Sequence, residues 1–206
     1  MSDLVLALSK GRLLHPSIAL LNKLGIEPAG LSSDSRLLTF DLPKFNLKIL
    51  LVRATDVPTY VEYGAADIGI TGSDLLLEQM RDVYEPVDLM FGQCAIVLAQ
   101  PIQNGNRSCL KLRIATKYPN ITESYFSKKG MPIEIVKLYG SVELAPSVGL
   151  AEQIVDLSSS GETLRVNQLA VVEEIVRCSA RLIVNRASLK LKYPAIQKMI
   201  EAIKAV

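Results

Sequence analysis

Short apolar runs of strand length alternate along the chain with segments whose apolar residues recur at helical spacing. Residues 3–9 (DLVLALS) have the length and composition of a buried strand. In the next segment, apolar side chains recur at Ile18, Leu21 and Leu24, and Gly25 is expected to end that helix. Further strand-like runs cover 36–42, 47–53, 66–72, 83–89, 92–100, 112–118, 133–140, 153–159 and 169–186. Further helices are predicted over 54–64, 73–80, 121–129 and 142–148, after Gly161, and after Pro194.

This alternation predicts an α/β fold with mainly parallel sheets. A chain of 206 residues is long enough for two lobes of about 90 to 100 residues each. In such folds, ligands bind near the carboxyl ends of the strands, and a cleft between lobes is the expected place for a site.

One polar stretch, DLSSSGETLRVN (156–167), follows a predicted strand directly. A helix cap explains it in one way, since Ser159 or Ser160 would satisfy free N–H groups of a first turn. A phosphate-binding loop explains it equally well, because Gly161 lets the backbone approach an anion closely. In that case Asp156 cannot bind the phosphate, since like charges repel, but it can accept hydrogen bonds from sugar hydroxyls. The residues alone leave both explanations open.

Other candidate loops also follow predicted strands. SKGRLL supplies Lys10, Gly11 and Arg12 directly after the first strand, and its alternative is a solvated basic turn. Arg36 precedes a strand, where a lone surface arginine is equally common. Two more strand-to-helix turns contain Gly72 and Glu143, and simple turns with caps explain them as well. No Walker A or G-x-G-x-x-G motif is present.

Composition narrows the function further. Hydrophobic residues make up 49% of the chain, enough for a sizeable core, and the net charge is only +2 with no dense basic run, so nucleic-acid binding is not expected. No apolar run reaches membrane-spanning length and the N-terminus does not resemble a signal peptide, so a cytoplasmic protein is expected.

Histidine and cysteine usage argues against a metal site. His15 is the only histidine, so a histidine-rich zinc site is excluded and a catalytic role for it is not expected. Cys94, Cys109 and Cys178 are far apart in sequence, as expected for reduced thiols, and core packing is the default for Cys94 and Cys178.

Several long stretches together resemble a known family. They are LALSKGRLL, LLVRATDVPTYVEYGAADIGITGSDLLLE, RIATKYPN, KLYGSVELAP, GLAEQIVDLSSSGETLRVNQL and SARLIVNRASLK, and they cover nearly the whole chain. In these stretches the chain is similar to the short-form ATP phosphoribosyltransferases, which open histidine biosynthesis. The resemblance implies two lobes of periplasmic-binding-protein type II, with the active site in the interlobe cleft. The first lobe would comprise 1–92 plus 181–206 and the second 93–180.

The resemblance also implies a reaction and a site. Enzymes of this family transfer the 5-phosphoribosyl group of phosphoribosyl pyrophosphate (PRPP) to N1 of ATP and release pyrophosphate. Asp156 is expected at the ribose hydroxyls. The residues expected around the 5′-phosphate are Ser158, Ser159, Ser160, Gly161, Glu162 and Thr163. Lys10, Gly11, Gly72 and Glu143 are expected to bind substrate, and Arg12 and Arg36 to stabilise the departing pyrophosphate. Two positions depart from the family pattern, with Ser160 where Thr is frequent and Leu37 where Lys is common.

Partners follow from the same resemblance. Mg²⁺ is expected to arrive bound to PRPP rather than in a protein cage. The chain corresponds to the catalytic part of longer relatives, so feedback regulation is expected from a separate subunit similar to histidyl-tRNA synthetase. Two alternatives remain at this point: a non-catalytic two-lobed anion-binding or sensor protein, and a phosphoribosyltransferase that uses another acceptor base.

Overall fold

The computed structural model describes residues 4–33, 35–102 and 111–206. Within these ranges the strands are β1 Leu4–Ser9, β2 Thr39–Leu42, β3 Leu47–Val52, β4 Ile68–Gly72, β5 Tyr84–Asp88, β6 Cys94–Pro101, β7 Leu112–Thr116, β8 Ile133–Lys137, β9 Gln153–Ser158, β10 Leu169–Cys178 and β11 Ala180–Val184. The helices are α1 Leu14–Lys23, α2 Val57–Glu62, α3 Ser73–Gln79, α4 Pro119–Lys128, α5 Glu162–Val166, α6 Arg186–Leu191 and α7 Tyr193–Lys204. None of the helices in the described ranges has the length and apolarity needed to cross a bilayer.

The chain divides into two compact units, each with its own sheet. The first unit runs to Gly92 and resumes at Ser179, and the second comprises Gln93–Cys178. Ser179 and Ala180 therefore belong to the first unit, although the sequence placed the boundary after residue 180. Their place there has a physical cause, because the Ser179 carbonyl accepts a hydrogen bond from the Ser73 amide and Ala180 pairs with Gly72 on β4.

The first unit is built on a six-stranded sheet with the order β2-β3-β1-β4-β11-β5. Its central strands β3, β1 and β4 are parallel, while β2, β11 and β5 pair antiparallel to their neighbours. Both faces of β1 and β4 are largely buried, as continuous apolar runs predict for parallel strands, whereas β3 alternates buried and partly buried residues. Since β1 and β4 are parallel, the loops that follow them emerge at the same edge of the sheet.

The second unit contains a five-stranded sheet with the order β10-β6-β9-β7-β8. Here β8, β7 and β9 are parallel, and β6 is antiparallel to both β9 and β10. The segments after β7, β8 and β9 therefore emerge at one edge. That edge carries the polar stretch which begins at Asp156.

Some predicted elements differ from the structure. The prediction of a helix over 142–148 was wrong. Residues 142–144 form a single 3₁₀ turn, which is followed by further turns. Pro146 explains this, because it has no N–H to continue a helix and disfavours helical geometry in the residue before it. The strand predicted from residue 36 begins at Thr39, and just before it the Ser35 hydroxyl contacts both the amide and the carbonyl of Leu37.

The cysteine predictions concern residues in different parts of the chain. Cys94 and Cys178 are buried, as core packing predicts. They lie opposite each other on β6 and β10. Cys109, with most of the loop predicted over 101–109, falls outside the described residues.

A close packing contact at Gly69 gives the first test of the fold. A Cβ atom there would lie 2.8 Å from Val61 Cγ2 and 3.0 Å from Val57 Cγ1, both on the helix that covers β4. Gly69→Ala is therefore expected to lower the free energy of unfolding by about 1–3 kcal/mol, measured by urea denaturation. Gly140→Ala is the matched control, because a Cβ at Gly140 meets no atom within 4 Å. Equal stability of the two variants would contradict the packing of α2 on the sheet.

Candidate active site

A small polar cavity lies at the carboxyl edge of the second unit's sheet. Its volume is about 100 Å³, roughly three times the volume that a water molecule occupies in the liquid. The residues that line it come from the end of β9, the loop and first turn of α5, and the turn after β8: Glu143, Asp156, Leu157, Ser158, Ser160, Gly161, Glu162, Thr163 and Leu164. The cavity thus brings together seven of the predicted substrate-binding residues, Glu143, Asp156, Ser158, Ser160, Gly161, Glu162 and Thr163. Ser159 is exposed and is not part of this lining.

The loop before α5 is not a serine-capped helix end. Gly161 occupies the N-cap position with a φ of 74°, a left-handed conformation that glycine adopts without steric cost, and no side chain caps the helix. The Ser160 hydroxyl accepts only a long contact of 3.4 Å from the Glu162 amide. The simple cap explanation is therefore weakened. The hydroxyls of Ser158, Ser160 and Thr163 line the cavity instead.

Asp156 is a largely buried acid of this cavity. Its side chain is 17% exposed, and its Oδ1 accepts a 2.7 Å hydrogen bond from the Leu157 amide. The Lys117 Nζ lies 3.4 Å from the same oxygen. Burial raises the pKa of Asp156 above its ordinary value, Lys117 and the Leu157 amide oppose that rise, and the nearby Glu143 adds to it. The carboxylate is held in place at an electrostatic cost.

The other two acids of the cavity differ in their surroundings. Glu162 forms a two-point contact with Arg165, at 3.0 Å to Nε and 2.6 Å to Nη2, and this arginine holds the pKa of Glu162 below its usual range. Glu143 lies in the turn that replaces the predicted helix, after Ser141, whose φ is 49°. The cavity therefore combines hydroxyls, backbone and three carboxylates.

Lys117 is a site residue that sequence reasoning did not single out. It follows β7 directly, and the parallel register that pairs Thr116 with Val155 places residue 117 beside Asp156. The stretch RIATKYPN contains it, but nothing in that stretch says which acid the lysine contacts. Only the pairing of β7 with β9, strands far apart in sequence, reveals the ion pair.

In the first unit, the loop after β1 carries the predicted cations. Gly11 has a φ of 101°, which favours glycine at this turn. The Lys10 ammonium donates to the Ser35 carbonyl at 3.3 Å, and Arg12 Nη1 donates to the Gly92 carbonyl at 2.7 Å. Both side chains are exposed, and each is tied to a backbone oxygen of a different segment.

The remaining predicted residues of the first unit have distinct surroundings. Arg36 is exposed and directly follows Ser35, so Lys10 and Arg36 lie near the same peptide. Gly72 ends β4, and a Cβ there would lie 2.0 Å from Asp74 Oδ1, so any larger residue would displace that carboxylate. His15 is exposed near the start of α1.

Known proteins share this chain's sequence and fold. The sequence pattern described as HisG, ATP phosphoribosyltransferase, matches residues 53–205. The chain is 55% identical over 208 aligned residues to the ATP phosphoribosyltransferase of Geobacter metallireducens, with 98% of each chain covered. The chain belongs to the ATP phosphoribosyltransferase family. The resemblance drawn from the sequence motifs is thereby confirmed.

Solved structures support the same assignment. The ATP phosphoribosyl transferase (HisG:HisZ) complex from Thermotoga maritima superposes with a TM-score of 0.85 at 36% identity, covering 98% of this chain and 97% of that one. The alkanesulfonate-binding protein of Xanthomonas axonopodis pv. citri gives a TM-score of 0.60 at 14% identity, covering 98% and 72%. The second likeness concerns the fold alone. It confirms the predicted α/β architecture of periplasmic-binding-protein type.

The raised pKa of Asp156 predicts how stability varies with pH. The folded state favours the protonated acid, because the pKa of Asp156 is raised there above its ordinary value of 3.8. As pH rises from 3.8 through the pKa of the folded state, ionisation of Asp156 therefore lowers the free energy of unfolding. Asp156→Asn removes this loss, so its stability relative to the native chain is expected to increase as pH rises across that window and then to level off. Urea unfolding between pH 4 and 7.5 measures the difference.

The exposed Glu134 on β8 supplies the matched control for this experiment. Glu134→Gln removes a carboxylate from the same unit without relieving burial, so its pH profile is the baseline against which that of Asp156→Asn is compared. A profile of Asp156→Asn that matches this baseline would show that burial of Asp156 carries no electrostatic cost.

Proposed function

We propose that the chain transfers the 5-phosphoribosyl group of PRPP to N1 of ATP and releases pyrophosphate, the first step of histidine biosynthesis. The observation that carries the proposal is the cavity in which an acid, three hydroxyls and a left-handed glycine meet at one sheet edge. The family's named activity supports the choice of a glycosyltransferase over a non-catalytic anion-binding protein.

The second-unit cavity suits the phosphoribosyl end of PRPP. The hydroxyls of Ser158, Ser160 and Thr163 are donors for a 5′-phosphate, and Gly161 allows the backbone to approach it. Asp156 accepts hydrogen bonds from the ribose hydroxyls. Arg165 already neutralises Glu162, so that acid opposes a bound phosphate less than its formal charge suggests.

The chemistry demands more positioning than proton transfer. A bond forms between adenine N1 and C1 of the ribose while the bond from C1 to the pyrophosphate oxygen breaks, and the pyrophosphate leaves with the bonding electrons. The adenine nitrogen is a weak nucleophile, so alignment of the two substrates and stabilisation of the leaving group supply most of the rate enhancement. We assign leaving-group stabilisation to Arg12 and Arg36, with Lys10, Gly11 and Gly72 contacting substrate. Mg²⁺ is proposed to enter with PRPP, with phosphate oxygens and water as its ligands.

A partner subunit and a cellular location complete the proposal. The structural relative from Thermotoga maritima is a HisG:HisZ complex, which supports assembly of this chain with a regulatory subunit similar to histidyl-tRNA synthetase. We place the protein in the cytoplasm, where its substrates ATP and PRPP are found.

The direct test is formation of the adduct. The chain is incubated with ATP, PRPP and Mg²⁺, with and without the regulatory subunit of the same organism, and the product is identified by its mass and its N1 linkage. The proposal predicts N1-phosphoribosyl-ATP and one pyrophosphate per adduct. PRPP binding without any adduct in either mixture would favour the non-catalytic alternative, and an adduct on a different base would favour another acceptor.

Arg12 and Arg36 are expected to act mainly in the transition state. Negative charge grows on the pyrophosphate as it leaves, and a guanidinium is a good partner for it. Replacing either with Ala should raise the activation free energy of the single-turnover reaction by about 2.7–4 kcal/mol, by analogy with a lost oxyanion donor. The rise in KM for PRPP should account for less free energy than the fall in this rate. Rapid-quench measurement isolates the chemical step from product release.

Arg186→Ala is the control for these variants. Arg186 is an exposed arginine of the same unit, and it pairs with Asp82 at 2.6 Å. Its loss should leave the rate unchanged. If Arg12→Ala and Arg36→Ala raise KM alone, the two arginines only hold the ground state, and Lys10 becomes the next candidate.

A further inference from the structure

The proposed phosphate cavity has an electrostatic difficulty. Three carboxylates, Glu143, Asp156 and Glu162, line the space in which a negatively charged group is to bind. Arg165 compensates Glu162 through its two-point contact. Asp156 is paired with a different cation, Lys117, which lies outside the cavity lining. Within the described residues, Asp156 is the acid with which Lys117 forms an ion pair.

Lys117 is held in a well-defined position. It sits in the turn between β7 and α4, where the Tyr118 amide donates to the Thr116 hydroxyl at 2.9 Å and the Thr122 hydroxyl donates to the Tyr118 carbonyl at 2.7 Å. Thr116, Tyr118 and Thr122 are all buried. The Lys117 Nζ also lies 5.0 Å from the centre of the Tyr118 ring, within the range of a cation–π contact.

Among the described residues, two groups contact the Asp156 carboxylate, and both lie on the same oxygen. The Leu157 amide and Lys117 each approach Oδ1. Oδ2 is therefore the oxygen that Asp156 presents to a ligand. An ionised carboxylate accepts hydrogen bonds from two hydroxyls at once, whereas a protonated one must donate its own proton and accepts less.

We propose that Lys117 is a positioning residue, which fixes Oδ1 of Asp156 and keeps that acid ionised so that Oδ2 receives the ribose hydroxyls. This inference rests on the proposed function, since it presumes that PRPP is the ligand. It assigns Lys117 to the ribose, through Asp156, and not to the phosphate.

The charges that face Asp156 make the proposal testable by pH. Burial and Glu143 raise the pKa of Asp156, while Lys117 and the Leu157 amide lower it. Removing Lys117 leaves burial and Glu143 opposed by the amide alone, so the acid should become protonated at a higher pH than in the native chain. Affinity for the ribose hydroxyls should then be lost at a correspondingly higher pH.

The experiment compares the affinities for ribose 5-phosphate and 2-deoxyribose 5-phosphate by calorimetry, in the full chain with its regulatory subunit, between pH 5 and 8. The ratio of the two affinities reports the hydroxyl contact, because both ligands carry the same phosphate. In Lys117→Met the ratio at pH 7 should fall by about three- to tenfold. This is less than a fully buried charge-assisted contact would contribute, because solvent screens the partly exposed lysine. The pH at which the preference disappears should rise. Lys117→Arg should retain most of the preference.

Two further variants separate positioning from other roles. Lys137→Met is the matched control, because Lys137 is an exposed lysine of the same sheet that also lies over a tyrosine ring, 5.5 Å from the centre of Tyr139. It should leave the ratio and its pH dependence unchanged. In an Asp156→Asn background, Lys117→Met should cause no further loss, since the two residues act as one unit.

Several outcomes decide the matter. If Lys117→Met weakens both sugar phosphates equally at every pH, Lys117 contacts the phosphate or serves only the fold, and the proposal is overturned. An unchanged ratio also overturns it. If the native chain with its regulatory subunit neither binds PRPP nor forms the N1 adduct, the proposed function fails instead, and the two failures are distinguishable.

Discussion

The proposed site requires a carboxylate and a phosphate to share one small cavity although like charges repel. The strand pairing of the second unit bears directly on this constraint. Parallel β7 and β9 bring Lys117 next to Asp156, so that the acid's charge is opposed by a cation outside the cavity lining. The end of β9 and the loop after it supply hydroxyl-bearing residues and a left-handed Gly161, to which we assign the anion. A buried acid with a raised pKa is a destabilising feature, and such features gather at functional sites.

In the first unit, too, the candidate residues follow a parallel strand, but the charged ones are cations. The loop after β1 carries Lys10 and Arg12, which donate to the backbone carbonyls of Ser35 and Gly92. These contacts hold the two cations close to the carboxyl end of β1. A cation in a fixed position suits the stabilisation of a departing pyrophosphate. Both units thus place their chemistry at the carboxyl edge of a parallel sheet, where α/β folds generally bind ligands.

Much of this arrangement was predictable from local sequence, and the rest depended on contacts between distant segments. The α/β class followed from alternating patterns. Seven candidate residues do line one cavity, because six of them lie at the end of β9 and in the loop and first turn after it, and Glu143 lies in the turn after β8, at the same edge of the sheet. Lys117 was missed because its partner lies across a strand pairing that no local pattern specifies. A helix over 142–148 was predicted because the segment follows a strand and a glycine turn, but Pro146 interrupts the hydrogen-bonding pattern that a helix requires. Ser159 was included with its neighbours in the loop, and it is the one residue from Ser158 to Thr163 that does not line the cavity.

The central claim is that the second-unit cavity holds the phosphoribosyl end of PRPP, with Asp156 on the sugar. A crystal structure of the chain with its regulatory subunit, PRPP and Mg²⁺ bound tests this most directly. The account predicts the 5′-phosphate within hydrogen-bond distance of the Ser158, Ser160 and Thr163 hydroxyls, and the ribose hydroxyls on Asp156 Oδ2. A phosphate bound at another site, with only solvent in this cavity, would contradict the account.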